Sequence, residues 1–379
     1  MLIGIDGIPL AFPKTGVGHY TFELSQALAR MLPEHRFELL YPSSFPQITD
    51  AIPARDNLTL NRVPVGPVGR HWWSAGLPRH FRRERPDLFH GTNYDIPLWR
   101  PCPTVLTIHD LSLLLYPETH EKRSVSRARR RLPVMASKAD TVIVPTNAMR
   151  QEVIEYLGVD ETRVVVVYEA AREFFRPVDS GTTVETRQRL GIGNEFILNV
   201  GTIEPRKNIS VLVSAFEDLV RSMPGSPLQL VIVGGRGWLS SPVLATIEKS
   251  PVRNRIVLTG YLHDEELRDL YSSCRLFVYP SLYEGFGLPP LEAMACGAPV
   301  IVSTAKALVE VGGNAAQYFE ANDPVELTKA MIELLANDDL RSRLSESAKE
   351  RAAEFSWTKA AIITYEVYRR TIEKTSNYS

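Results

Sequence analysis

Tyr283-Glu284-Gly285-Phe286-Gly287-Leu288-Pro289-Pro290-Leu291-Glu292-Ala293-Met294-Ala295-Cys296-Gly297 is a glycine-bearing loop, flanked by two carboxylates, that runs straight into a short helix. Pro289 and Pro290 suit the first helical positions and Leu291 to Ala295 are good helix formers. Gly297 suits a left-handed cap before the apolar strand Pro299 to Val302. Glu292 is thereby expected in the first turn, where the helix dipole favours its carboxylate and vicinal hydroxyls such as those of a ribose can donate to it. Glu284 precedes the loop, so the amides of Gly285 to Leu288 and of the helix N-terminus form a rim for anions and hydroxyls between the two acids. The plainer reading is a strand-to-helix connection with solvated acids.

Outward from this joint, short apolar runs alternate with amphipathic segments. Leu2 to Ile5, Phe37 to Tyr41, Leu88 to His90, Thr104 to Ile108, Thr141 to Val144 and Val164 to Val167 read as buried parallel strands, with helices over 20–31 and 147–157. An irregular stretch follows, about 169–186. A second series then runs Phe196 to Val200, Leu228 to Val233, Ile256 to Thr259, Leu276 to Tyr279 and Val300 to Val302, with helices near 207–223, 264–273, 289–296, 325–336 and 339–353. The economical fold is α/β with two doubly wound domains, 1–170 and 191–356, joined by a linker over 171–190. Ligands in such sheets bind beyond the carboxyl ends of the strands, so an interdomain cleft is expected. The last helix, about Thr358 to Thr371, precedes a polar tail, Lys374 to Ser379.

With 379 residues, 44% of them apolar, and a formal net charge of −1, the chain is an ordinary globular protein of two-domain size with no bulk demand for nucleic acid. Residues 51–150 nevertheless carry sixteen Lys or Arg against eight Asp or Glu, clustered at Arg79, Arg82, Arg83, Arg85 and at Lys122, Arg123, Arg127, Arg129, Arg130, Arg131. Cys102, Cys274 and Cys296 have no CxxC or Cys/His spacing, which argues for reduced thiols in a cytoplasmic setting and against zinc. The chain opens directly on a strand, and no apolar run is long enough to span a bilayer. Neither secretion nor a membrane span is expected. No two aspartates are separated by a single residue and the histidines are scattered, so no metal or other cofactor is expected.

Gly201-Thr202-Ile203-Glu204-Pro205-Arg206-Lys207-Asn208 is a glycine turn at a strand end beside adjacent cations. Arg206 can grip two diphosphate oxygens in a fork while Lys207 acts as a mobile point charge. Cations in a first helical turn oppose the dipole, a placement that is costly without an anion; a charged helix cap is the alternative. Thr15-Gly16-Val17-Gly18-His19-Tyr20 precedes the first helix, and Gly16 and Gly18 would let backbone approach a ligand there. Thr21 breaks the GxGxxG pattern, and the loop is equally a flexible helix start. His109 and Asp110 close the strand Thr104 to Ile108. His109 could donate to a substrate hydroxyl or carbonyl and Asp110 could orient its ring or contact the other substrate, or the histidine could simply be satisfied in a loop. Gly234, with Gly235, and Gly260, with Tyr261, end two further strands, where they suit close approach of a flat ring or phosphate, or plain turns.

With these residues in place, the chain resembles the family 4 glycosyltransferases, retaining enzymes of the GT-B fold. The resemblance covers nearly the whole length through GFGLPPLEAMACGAPVI with Glu284 and Glu292, GTIEPRKN, TGVGHYT, His109-Asp110, Ala139 to Ile143 and Phe355-Ser356-Trp357. It implies Glu292 as ribose ligand, Arg206 and Lys207 as diphosphate clamp, and Glu284 with the Phe286, Gly287 and Leu288 amides facing the transferred sugar. Gly16 would reach the diphosphate, and His109 would lie on the acceptor side near the donor sugar. The last helix would cross back onto the first domain. Two departures stand out: Glu169-Ala170-Ala171 replaces a Gly-Val-Asp turn, and Leu308-Val309-Glu310-Val311 lacks a proline common in relatives.

The activity so implied moves a hexosyl unit from a nucleoside diphosphate sugar to a hydroxyl of a glycan or lipid-linked acceptor. The TGVGHYT loop looks most like mannosyltransferases of polysaccharide assembly that use GDP-mannose. Front-face attack suits it better than a covalent intermediate, since no enzymic nucleophile is evident in the N-terminal half. The basic clusters, Arg79–Arg85 beside Trp72, Trp73, Leu77 and Phe81 and Lys122–Arg131 on a helix, suggest a peripheral contact with an anionic membrane, against a merely solvated basic face. A GT-B sugar-nucleotide epimerase or a non-catalytic sugar-nucleotide binder are the alternatives. A dinucleotide oxidoreductase is disfavoured by the missing GxGxxG and by Glu38 falling inside a strand. A periplasmic sugar-binding protein is disfavoured by the missing export signal.

Overall fold

The computed structural model describes residues 1–12, 16–48, 55–65 and 71–376. Thr15 and residues 377–379 of the tail lie outside them. The chain divides into two compact units: Met1–Leu111 with Ser126–Glu169 and Ser356–Ser379, and Ser112–Val125 with Ala170–Phe355.

In the first unit, β1 (Leu2–Asp6), β2 (Arg36–Pro42), β3 (Leu58–Val63), β4 (Leu88–Gly91), β5 (Thr104–Thr107), β6 (Thr141–Val144) and β7 (Val164–Val166) form one sheet. All its pairings are parallel and the order is β3-β2-β1-β4-β5-β6-β7. The second unit holds β8 (Phe196–Val200), β9 (Gln229–Val233), β10 (Ile256–Gly260), β11 (Leu276–Tyr279), β12 (Val300–Ser303) and β13 (Gln317–Phe319), again all parallel, in the order β10-β9-β8-β11-β12-β13. Each order reverses once, at β1/β4 and at β8/β11. Ligands bind at such reversals because the flanking connections leave in opposite directions and open a crevice beyond the strand ends.

The buried runs are strands because both faces of each sheet are covered: Ile197, Leu198, Leu230, Val231, Phe277 and Val278 are all at 0% exposure. β3 and β13 were not expected. β3 carries Asn61 and Arg62 and exposes half its residues at a sheet edge, while β13 has only three residues, so neither presents a buried apolar run. The stretch read as irregular contains a helix, Ser180–Arg189, whose Ser, Thr and Gly content is unfavourable for one. Packing overrides propensity there: Thr186 Oγ1 donates to Asp269 Oδ2 at 2.6 Å on the Asp264–Ser273 helix.

The last helix, Trp357–Ser376, packs on the first unit, as expected. Tyr368 meets buried His90 Nδ1 at 2.7 Å and Thr371 meets Thr141 at 2.8 Å through their hydroxyls. Burial, with His109 nearby, pushes His90 down to about 3, so it serves this contact as a neutral ring.

Candidate active site

In the second unit the expected residues gather at the β8/β11 reversal. After β8 the chain turns at Gly201, against which Gly234 is packed; a Cβ on Gly234 would stand 2.0 Å from the Gly201 carbonyl oxygen, and its φ is +147°. Only glycine allows that approach. Gly234 N in turn donates to Gly260 O at 2.9 Å, so the three strand ends carrying Gly201, Gly234 and Gly260 form a continuous backbone floor. Tyr261, the next residue, is 66% exposed.

From this floor a tight 3-10 turn, Pro205–Lys207, swings Arg206 and Lys207 inward, and Asn208 in left-handed conformation (φ 54°) starts the Ile209–Ser222 helix. Arg206 Nη2 donates to Glu204 Oε1 at 2.7 Å; its Nη1 reaches Tyr283 O at 2.8 Å and Glu284 Oε2 at 3.1 Å. Lys207 Nζ donates to Glu284 Oε1 at 2.6 Å and to Tyr279 Oη at 2.7 Å. Glu284 Oε1 also accepts from Ser281 Oγ at 2.6 Å and Tyr279 Oη at 3.0 Å. The loops after β8 and β11 are thus stitched by one buried charge cluster. Burial alone would raise Glu284, but Lys207 and then Arg206 outweigh it and hold the carboxyl down to about 2. Burial lowers Lys207, with Arg206 beside it, and raises Glu204.

This corrects one inference from sequence. Arg206 and Lys207 need no bound anion to explain their placement, because Glu204 and Glu284 already neutralise them and the 3-10 turn holds them ahead of the helix. It also places Glu284 directly against Arg206 and Lys207.

The other end of the loop is built separately. Gly287 (φ 104°) caps the Leu288–Ala295 helix; as read from sequence, prolines occupy its first positions and Gly297 (φ 80°) closes it. A Cβ on Gly287 would come within 2.6 Å of Leu308 Cδ2. Phe286 is buried with its ring edge-on to Phe355 at 5.8 Å, and the Leu288 amide opens the helix. Glu292 is the fifth helical residue, in the second turn rather than the first, because the helix begins at Leu288. Its Oε1 accepts from Arg172 Nε at 3.4 Å and Nη2 at 3.3 Å, and its Oε2 from Tyr271 Oη at 3.4 Å. Burial pushes Glu292 up to about 7 against the pull of Arg172.

The first unit holds His109, Asp110, Gly16 and Gly18. His109 follows β5 with its ring pinned: Nε2 donates to Thr92 O at 2.8 Å and Nδ1 lies 3.2 Å from Glu169 Oε1, with Tyr20 edge-on at 4.7 Å. The carboxylate on the ring is therefore Glu169, at the position where the chain departs from a Gly-Val-Asp turn, and not Asp110, whose backbone amide donates to Tyr94 Oη at 3.1 Å. Gly16 and Gly18 belong to the first turn of the Gly16–Met31 helix rather than to a loop before it. Asp6, at the end of β1, is buried and pushed up to about 8, which leaves it largely uncharged at neutral pH.

Glu204 was quoted within the Gly201–Asn208 motif without a role, Tyr279 and Ser281 were legible only as neighbours of the Tyr283–Gly297 stretch, and Arg172, in an irregular stretch, carried no signal at all. Among the described residues, no group of three His, Cys, Asp or Glu side chains is placed to hold a metal ion.

Two family models divide the chain as its two sheets do: Glycosyltransferase Family 4 matches residues 14–170 and Glycosyl transferases group 1 matches residues 183–351. The O-antigen chain mannosyltransferase B of Escherichia coli is 30% identical over 373 residues, covering 95% of this chain and 97% of that protein. The chain belongs to glycosyltransferase family 4. Among solved structures, this family 4 glycosyltransferase is similar to sucrose-phosphate synthase from Thermosynechococcus elongatus (TM-score 0.81, 21% identity, 98% of this chain and 99% of that one). It is also similar to Anabaena HepE in complex with UDP and glucose (TM-score 0.75, 18% identity, 96% and 98%). The glycosyltransferase therefore has the GT-B fold, a pair of parallel-sheet units.

Proposed function

We propose that the second unit binds a nucleoside diphosphate sugar, with Glu292 on the ribose, Arg206 and Lys207 on the diphosphate, and Glu284 with the Phe286–Leu288 amides on the sugar. The observation that carries this is the buried Arg206–Lys207–Glu284 cluster at the β8/β11 reversal. Fixed cations in a water-poor site stabilise charge growing on a departing diphosphate more strongly than they would in water. A relative that is an O-antigen mannosyltransferase and a neighbour bound to UDP support a hexosyl donor, read here as GDP-mannose. The acceptor is a glycan or lipid-linked hydroxyl.

Transfer proceeds with retention by front-face attack, the leaving phosphate taking the acceptor proton. Two carboxyls at strand ends of the first unit are poor nucleophiles: Asp6 is largely protonated and Glu169 is engaged with His109. His109, held by Glu169, serves the acceptor side. Thermal-shift measurements with GDP-mannose and UDP-glucose test the donor: at about 100 times its dissociation constant the right donor stabilises by about 2.7 kcal/mol. Stabilisation by neither would overturn the donor site.

Peripheral contact with an anionic membrane on its cytoplasmic face is favoured by a specific surface. Trp72, Leu77 and Phe81 are core residues, but Leu98 and Trp99 are 46% and 48% exposed, and Arg82 covers the Trp99 ring at 4.2 Å. Exposed Arg79, Arg83 and Arg85 flank Arg82 in sequence, and Lys122 to Arg130 add a second basic stretch. No helix among the described residues is long and apolar enough to cross a membrane. Co-flotation with anionic vesicles at physiological salt tests this, and recovery of all the protein in the unbound fraction counts against it.

A further inference from the structure

The passage from the first unit into the second runs through Glu169, Ala170, Ala171 and Arg172. Arg172 leaves that segment with a side chain only 11% exposed and held on three sides. Nε and Nη2 face Glu292 Oε1 at 3.4 and 3.3 Å, Nη1 donates to Asp264 Oδ2 at 2.5 Å, and the guanidinium lies over the Phe175 ring at 4.5 Å. A planar fork so fixed has one orientation and presents an invariant charge to its partner. Among the described residues, the other groups that act on Glu292 are acidic or neutral: Asp264 and Tyr271 from the Asp264–Ser273 helix, and Cys296, just beyond its own helix and itself facing Arg268.

We propose that Arg172 is a positioning residue of the donor site, fixing the Glu292 carboxylate and favouring the ionised form that accepts ribose hydroxyls. This rests on Glu292 being the ribose ligand. Only an ionised carboxylate offers acceptor sites on both oxygens to a vicinal diol. Burial pushes Glu292 towards the protonated form, Arg172 opposes that push, and Asp264 adds to it. Replacing Arg172 and replacing Asp264 should therefore move donor binding along the pH axis in opposite directions.

The test is calorimetric titration of the full chain with GDP-mannose and with UDP-glucose from pH 5.5 to 9. The diphosphate diester of a sugar nucleotide does not titrate in that range, so the midpoint belongs to the protein. For Arg172→Ala we expect binding about tenfold weaker at pH 7 and a midpoint raised by about one unit. Arg172→Lys should recover part of both, and Asp264→Asn should lower the midpoint. Tighter binding by Arg172→Ala would overturn the proposal, since the arginine would then compete with the ribose; so would an unmoved midpoint in Arg172→Ala and Asp264→Asn. Should Arg172→Ala not fold, Arg172→Lys and Asp264→Asn decide alone. Glu292→Gln separates the two levels of argument. If it binds with wild-type affinity and pH dependence, or if wild type binds neither sugar nucleotide, the ribose assignment fails and this inference falls with it. If Glu292→Gln weakens binding and abolishes the midpoint while the Arg172 variants match wild type, only the inference fails.

Discussion

Glu284 and Glu292 bracket one loop and are about equally buried, yet their carboxyls are driven in opposite directions, one down to about 2 and the other up to about 7. Burial opposes the charged form of both. What separates them is partners: Glu284 has two cations at 2.6 and 3.1 Å and two hydroxyl donors, whereas Glu292 has one cation at 3.3 Å, a tyrosine at 3.4 Å and a nearby Asp264. The Glu284 end is a closed, permanently charged cluster. The Glu292 end is balanced near neutrality, where a ligand's hydroxyls can decide its state.

The largest blow to this contrast is Arg206→Ala. It strips the counter-charge from Glu204 and weakens that of Glu284, both buried, and breaking such a pair is destabilising by about 3–5 kcal/mol. Chemical denaturation should show that loss, and adding Glu204→Gln should restore part of it. A single Arg206→Ala variant as stable as wild type would mean that the cluster is solvated and the contrast false. In whatever folded fraction remains, turnover should fall by the equivalent of about 2–4 kcal/mol.

The pH dependence of stability separates the two ends next. Glu284, held below its ordinary 4.5, contributes stability above that value and loses it as the pH falls through about 2. Glu292, raised from 4.5 to about 7, contributes stability below 4.5 and loses it as the pH rises through about 7. Melting temperatures of Glu292→Gln should therefore gain on wild type between about pH 5 and 8. Those of Glu284→Gln should lie below wild type at neutral pH and approach it in acid. Parallel curves for the two variants would erase the distinction.

How much of this was legible in the sequence follows the physics of each element. Both sheets announced themselves because two-sided burial demands unbroken apolar runs; β3 and β13 escaped because an edge strand and a three-residue strand need none. The prolines and glycines around the Leu288–Ala295 helix were read correctly because they act through local backbone geometry. Arg172 and Glu169 were not, since their partners lie 120 and 60 residues away and no local pattern marks a long-range ion pair. For the same reason the charge on Arg206 and Lys207 was visible, but its neutralisation by Glu284 was not.

The joint between the two ends is Gly287. Alanine there must adopt a φ of 104° and push its Cβ into Leu308, a strain of about 1–3 kcal/mol. Because the residue caps the helix that carries Glu292 and follows the loop that carries Glu284, Gly287→Ala should weaken sugar-nucleotide binding beyond its effect on melting. Unchanged affinity at reduced stability would show that the two ends are positioned independently.

The finest discrimination comes from two tyrosines, one at each carboxylate. Tyr279 Oη accepts from Lys207 at 2.7 Å and donates to Glu284 at 3.0 Å, so Tyr279→Phe removes two short bonds to charged partners inside the closed cluster. Hydrogen bonds to charged groups contribute about 1.5–3 kcal/mol each, less whatever neighbouring Ser281 recovers. Tyr271 meets Glu292 through one contact at 3.4 Å, long enough that Tyr271→Phe should cost about 0.5 kcal/mol or less in stability. The same change should still raise the pH midpoint of donor binding slightly, because it removes a donor that favours the ionised carboxylate. Equal losses from the two substitutions would mean that the Glu292 end is as tightly bonded as the Glu284 end, and that its place near neutrality reflects burial alone.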